Sequence, residues 1–284
     1  MESAAPRSRP EPSRALGSAL VHLVLVAGGL VVIFPFFWMV STSLKSLQEA
    51  LASPPLLLPS APAWTNYLDA WRAAPFARYF GNTIFIATAS TAATLVTGVC
   101  AAYAFARLEF PGRDVCFILF LATLMVPGEV TLIPNFLVLR TLGWLDTYYA
   151  LIVPFSANVL AIFLLRQFFL TIPRDLWEAS QLDGASHLTF LVQVVVPISA
   201  PALLTAGLYN FLASWNSFFW PLIMTSRPDV RPIQVALRVF QQEHGTEYHL
   251  LMAASTLAIV PIIVLFLFVQ RQFIEGVARS GIRG

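Results

Sequence analysis

Charged side chains are scarce in this sequence: 17 Lys or Arg and 15 Asp or Glu make up 11% of 284 residues, where soluble domains carry about 25%. With a net charge of +2 and scattered arginines, the chain has no basic face of the kind nucleic acid needs, so nucleic acid is excluded as a partner. Lysine occurs once, as Lys45, and no G-x-x-x-x-G-K-[ST] stretch surrounds it, so the chain lacks the phosphate loop of an ATPase. Cys100 and Cys116 are the only cysteines, both within or beside apolar runs. There they serve as small packing residues, and no disulfide is expected. No internal repeat, low-complexity tract or nucleophile–base constellation is visible.

What the sequence has in abundance is hydrophobic residues, 57% of the chain. Six apolar stretches, near 16–41, 83–106, 115–138, 149–170, 200–223 and 251–270, each reach the roughly 20 residues that cross a bilayer as helix. Unsatisfied peptide groups are costly in lipid, so uninterrupted runs of this length predict helices; barrel strands would be half as long and alternating. The expected fold is all-α: a polytopic membrane protein with a tail at 1–15, a six-helix permease domain at 16–270 and a tail at 271–284. Arg7, Arg9 and Arg14 before the first run imitate a signal peptide, but that run has the length of a retained span. Kinks are expected near Pro35, Pro127, Pro134, Pro154 and Pro261.

With the N-terminus in the cytoplasm, 10 Lys or Arg residues fall inside and 7 outside, accounting for all 17. That excess favours both termini inside. Residues 45–80, rich in Pro and aromatics, predict a folded outer loop lying along the headgroups, anchored by Trp64, Tyr67, Trp71 and Tyr79. The 224–250 segment is a polar outer loop. His244, His249, Glu243 and Glu247 lack metal-ligand spacing, so no metal site is expected there.

Between the fourth and fifth runs lies TIPRDLWEASQLDGASHLTFLVQVVVPIS, 171–199. Pro173 suits a first helical turn, Arg174 to Asp183 contains no breaker, and Gly184 suits a left-handed C-terminal position. Ser186 caps a second helix, and Pro197 and Pro201 mark its passage into the next span. On the first helix Leu176, Ala179, Ser180 and Asp183 share a face, with Trp177 at its edge. The segment reads as a docking hairpin or as an amphipathic connector on the membrane surface.

Glu178-Ala179-Ser180, three residues, Gly184, nine residues and Val194-x-Val196-Pro197 resemble the EAA motif of permease subunits from bacterial ABC importers. Ser180, Val194 and Val196 are conservative departures from it. The stretches NTIFIATASTAATLVTGVCAAYAFARLEFPGRD, FLASWNSFFWPLI and QRQFIEGVARSGIRG extend the resemblance over nearly the whole chain, toward the second, six-span subunit of carbohydrate importers of the maltose and glycerol-phosphate type. The resemblance implies that 171–199 is a cytoplasmic coupling hairpin seated on a separate ATPase, with Glu178, Ala179, Ser180, Asp183, Gly184 and Pro197 as its coupling residues. It implies a second permease subunit as heterodimer partner, two ATPase copies and an extracytoplasmic solute-binding protein reached by the 224–250 loop. It also implies a tail, with Gly276, Gly281 and Gly284, that enters between the ATPases. ATP and Mg belong to that ATPase; this chain binds no cofactor, is not itself an enzyme, and sits in the cytoplasmic membrane among lipid.

Polar residues inside spans face a cavity or the bundle interior. Asn158 and Asn210 fall at similar depth, with Glu129 slightly outward; they line a substrate pathway or hydrogen-bond neighbouring helices. Trp215, Asn216 and Trp220, near the outer end of the fifth run, stack on and bond a sugar or belong to an interfacial belt. A proton- or ion-coupled carrier working through Glu129 is the alternative reading.

Overall fold

The computed structural model describes residues 12–242 and 245–281. Glu243, His244 and Gly284 lie outside them, and so therefore does part of the expected 224–250 loop and of the tail. Two compact units result, one from 12–70 with 242–257, the other from 71–241 with 258–281.

In the first unit α1 (Pro12–Ser43) is almost wholly apolar. No residue of its most apolar window is buried within the chain, as a lipid-facing span requires. The helix runs through Pro35 unbroken. Beyond it the only lysine organises the following segment. Lys45 is 1% exposed; its Nζ donates to the Leu56 carbonyl at 2.6 Å and lies 4.2 Å from the centre of the Trp38 ring. Ser41 Oγ donates to the Leu57 carbonyl, and Asn66, on α2 (Thr65–Arg72), donates to the Ser43 and Lys45 carbonyls, each at 2.8 Å. Ser46 and Glu49 form a reciprocal cap on the short helix Leu47–Ala50. The other Glu49 oxygen accepts from the Ser60 amide at 2.9 Å. The 45–80 stretch is thus folded, as expected, but its aromatic anchors divide. Trp64 and Trp71 are exposed, whereas Tyr79 is buried and Tyr67 shares a hydrogen bond with Ser43.

In the second unit the 32-residue helix α3 (Phe76–Arg107) is the central post. Its buried side is lined by Thr83, Ala87, Ser90, Thr94, Gly98 and Ala102, small residues three or four apart that allow close helix approach. After it come α4 (Arg113–Ala122), α5 (Leu132–Thr141), α6 (Tyr148–Ile152), α7 (Val159–Leu170), α8 (Asp175–Leu182), α9 (His187–Ile198), α10 (Ala200–Trp215) and α11 (Phe219–Met224), and α12 (Tyr248–Gly281) belongs to the first unit up to Leu257 and to the second from Ala258. Helices α7 and α10 pack on α3. A Cβ at Gly207 of α10 would meet the Leu95 side chain at 3.3 Å, so a glycine permits this crossing. Cys100 and Cys116 are both free.

Four described helical runs are long and apolar enough to cross a membrane, Leu20–Ser43, Phe76–Arg107, Tyr148–Leu170 and Tyr248–Gln270, and α9 with α10 makes a fifth if the bent pair is one span. The expected run at 115–138 is not a single helix. Val126, held extended ahead of Pro127, ends the helical path, because the residue before proline is pushed out of the helical region and proline brings no N–H. Pro127-Gly128 then opens a turn, with the Val130 amide donating to the Pro127 carbonyl at 3.1 Å. Pro154 likewise converts α6 into a 3₁₀ turn, Val153–Phe155. Pro134 sits in the first turn of α5, where its missing N–H costs nothing, and α12 continues through Pro261. The expected tail at 271–281 is a continuation of α12 rather than a separate segment.

Losing the Lys45 donor leaves the Leu56 carbonyl unpaired, at about 1–3 kcal/mol. Lys45→Met is therefore expected to speed proteolysis within 51–63 by about tenfold or more. The Glu49 carboxyl, held by backbone amides of Ser46 and Ser60, drops from 4.5 to about 2. Because the folded carboxylate resists protons that the unfolded one takes up, its contribution is complete above 4.5 and is lost as pH falls through about 2. Protection of 51–63 against an acid-stable protease should decline over that window, and Glu49→Gln should remove this part of the pH dependence.

Candidate functional site

The hairpin forms as its local chemistry requires. At the end of α8 the Gly184 amide donates to the Gln181 carbonyl at 3.0 Å and the Ala185 amide to the Ser180 carbonyl at 2.9 Å. Gly184 has φ +79°. This is a Schellman stop, whose left-handed residue is glycine because a Cβ is disfavoured there. Ser186 then caps α9 by accepting from the Thr189 amide at 3.2 Å. Pro173 and Arg174 precede the helix, with Arg174 at the N-cap position.

What fixes the hairpin to the bundle is an aromatic clamp. Trp177 of α8 stacks on His187 of α9, ring centres 4.2 Å apart and 14° from parallel. The His187 Nδ1 is hydrogen-bonded to the Tyr103 hydroxyl near the end of α3 at 2.9 Å. Phe190, buried, meets Trp177 edge-on at 5.1 Å. One residue from each hairpin helix is thereby tied to α3. Close by, Arg107 Nη2 donates to the Phe169 carbonyl at 2.7 Å and to that of Ile172, closing the end of α7.

The clamp turns Trp177 inward, and Glu178, Ala179, Asp183 and Gly184 remain exposed. Ser180 is half-buried, its hydroxyl donating to the Leu176 carbonyl at 2.8 Å. Glu178 borders a polar groove that it shares with Arg107, Arg113, Arg174 and His187. Leu182 is 91% exposed and Leu188 68% exposed; sequence reading passed over both. Leu182 carried a signal, an apolar residue one turn beyond Glu178 on the hairpin's outer side. Pro197 lies near the end of α9, after a π-helical turn at Leu191–Val195, and α9 meets α10 at 80°. Ser199 at that corner has its hydroxyl buried without a partner among the described residues.

A second feature is a cavity of about 110 Å³ between α3, the α6–α7 break, α10 and α11. It brings Asn158 and Asn210 together with Trp220, and adds Ser90, Ser214 and Ser217, which the sequence did not single out. Asn158 caps α7 by accepting from the Ala161 amide at 2.9 Å, and Asn210 donates to Thr91 Oγ1 at 3.3 Å. The other pathway candidates lie elsewhere. Glu129 is exposed in the turn after Pro127, Trp215 is buried and stacked on Phe211 with centres 5.7 Å apart, and Asn216 is exposed, its amide returned to the Leu212 carbonyl at 2.9 Å.

A helical membrane bundle with a polar hairpin between broken apolar helices is the architecture of a permease subunit. Residues 94–279 match the family model of the binding-protein-dependent transport system inner membrane component, and the chain belongs to that family. It is 34% identical over 263 residues to the sulfoquinovosyl glycerol transport system permease protein SmoH of Agrobacterium fabrum, covering 92% of this chain and 91% of that one. It is 33% identical to the sn-glycerol-3-phosphate transport system permease protein UgpE of Yersinia pestis, covering 91% and 95%. Among solved structures, a chain of a bacterial ABC transporter involved in the import of the acidic polysaccharide alginate superposes with a TM-score of 0.81 at 25% identity, covering 93% of this chain and 99% of that one.

At Gly184 an added Cβ meets nothing within 4 Å, so substitution there is resisted by backbone conformation alone. Gly184→Val is expected to weaken the hairpin by roughly 1–2 kcal/mol, and Gly184→Asn by less. Hydrogen exchange of the 185–190 amides in the purified protein will rank the three.

Proposed function

We propose that this chain is a permease subunit of an ABC importer that carries a sugar, or a related polyol or oligosaccharide, across the cytoplasmic membrane. The observation that carries the reading is the clamped hairpin, exposed at Glu178 and Leu182, in a chain of this family. The named relatives carry glycerol-bearing solutes, which supports the substrate class. A solved alginate importer, in complex with a pentasaccharide-bound periplasmic protein, shares the fold at a TM-score of 0.64 and 13% identity.

In this reading the hairpin faces the cytoplasm, with both termini, and sits on one of two ATPase copies; a second permease subunit completes the pathway, and an extracytoplasmic binding protein delivers solute. The ATPases use ATP and Mg. Leu182 and Leu188 bury against the ATPase surface while Glu178 meets a cationic group there. Gly184 sets the angle between the hairpin helices, and Ala179, Ser180 and Asp183 complete the contact. Force then passes by differential affinity of the permease for the two ATPase states. The carrier alternative loses its geometric support, because Glu129 is outside the cavity that Asn158 and Asn210 line.

Truncating one partner of a desolvated charge pair costs about 2–5 kcal/mol. Glu178→Ala should therefore weaken retention of the ATPase on the purified permease pair by about thirtyfold or more. Gly184→Arg should insert into the membrane normally yet lose solute-stimulated ATP hydrolysis in proteoliposomes. Undiminished uptake by Gly184→Arg would remove the coupling role.

A further inference from the structure

The cavity beside the α6–α7 break contains more polar capacity than the fold uses. Irregular backbone at membrane depth persists only where it is buried in protein or lines a cavity. Here the carbonyls released by the break are satisfied from behind, Phe155 by Thr94 at 2.8 Å and Ser156 by Thr97, and Asn158 accepts the Ala161 amide in the first turn of α7. The front of the break is left to the cavity. Ser90, 1% exposed, lines it, and its hydroxyl makes no hydrogen bond to another described residue. The same holds for the Ser214 and Ser217 hydroxyls, while the Asn158 amide nitrogen and the Asn210 carbonyl oxygen also have unused capacity. Ser90 and Asn210 are buried and Asn158, Ser214 and Ser217 half-buried, and as cavity-lining groups they are available to a partner other than the chain itself.

Among the described residues no acidic, basic or imidazole side chain lines the cavity; apart from Thr83, whose hydroxyl is committed to the Tyr79 carbonyl and the Ile233 amide, its remaining walls are apolar or aromatic, Phe155 and Trp220 meeting edge-on at 5.1 Å. At about 110 Å³ it is well below the roughly 300–1,000 Å³ of a whole-ligand pocket. We infer that this cavity is a subsite for the neutral, hydroxyl-bearing end of the transported solute, a polyol segment of about three carbons, and that any charged group on the solute is recognised elsewhere in the assembled importer. Hydroxyls both donate and accept, which matches serine hydroxyls with one amide donor and one amide acceptor. A phosphate or sulfonate would enter with no counter-charge, which burial penalises heavily. The inference rests on the importer reading and deepens it.

The test uses the full chain assembled with its partner subunits and binding protein in proteoliposomes, offered sn-glycerol 3-phosphate, sulfoquinovosyl glycerol, maltose and trehalose. For the solute taken up, Ser90→Ala and Ser214→Ala are each expected to lower the solute imported per ATP hydrolysed by about tenfold, the scale of one buried polar group left unpaired. ATP hydrolysis stimulated by the loaded binding protein should stay within twofold of the parent. An analogue lacking the terminal hydroxyl should show the same loss in the parent and no further loss in Ser90→Ala. An unchanged transport ratio in both variants overturns the subsite, as does a fall in uptake that merely tracks a fall in ATP hydrolysis. Absence of ATP-dependent uptake of every solute by the parent overturns the importer reading and this inference with it.

Discussion

The structure depends on one constraint: wherever the backbone leaves a helix in an apolar surround, its released carbonyls and amides must find a donor or acceptor from the chain itself. Many of the chain's polar side chains meet that demand by bonding the backbone. Lys45 and Ser41 hold the carbonyls of 56 and 57, and Thr94 and Thr97 hold those of 155 and 156. Arg107 closes α7, Trp220 donates to the Ala150 carbonyl at 2.9 Å, and Asn82 donates to the carbonyls of Asp229 and Arg231, each at 2.9 Å. The polar residues left over from this task are correspondingly informative. Two groups of them are the hairpin's exposed Glu178 and Asp183 and the serines that line the cavity.

Local chemistry was legible in the sequence, and chemistry between distant residues was not. Gly184 and Ser186 could be assigned because a left-handed stop and a serine cap act within a few residues of themselves. Proline was legible as a position but not as a consequence: Pro35 and Pro261 pass inside continuous helices, whereas Pro127, followed by Gly128, ends one and divides the expected run at 115–138. Pro154, with no glycine beside it, also interrupts a helix, so the residue alone does not decide between passage and break. The Tyr103–His187 bond spans 84 positions, and nothing in periodicity joins the two. Tyr79 looked like an interfacial anchor because composition cannot distinguish an aromatic at a loop's end from one at a helix's start.

The candidate pathway residues illustrate the same boundary. Asn158 and Asn210 were found from depth alone and do share a cavity, because both sit on helices packed against α3. Glu129 was placed with them on the assumption of a continuous third helix. Once Pro127 ends that helix, depth counting fails and the carboxylate lies in an exposed turn. The cavity's serines were invisible for another reason: Ser90 lies on a stripe of small residues that helix packing alone would explain.

The hairpin and the cavity share their supports. Helix α10 begins at the corner beside Ser199 and carries Asn210 eleven positions later, roughly 16 Å along a helix at 1.5 Å per residue. Helix α7 begins at Asn158 and ends at the carbonyls gripped by Arg107. Both pack on α3, and the hairpin's root is held to the same helix where Trp177, His187 and Tyr103 are clamped together. A hairpin movement passed, in the proposed importer, through the π-helical turn of α9 and the corner at Ser199 into α10 would change the separation of Asn210 and Asn158 across the cavity. In the proposed importer, that geometry lets an event at an exposed cytosolic surface alter the grip on a solute without any charged residue between the two.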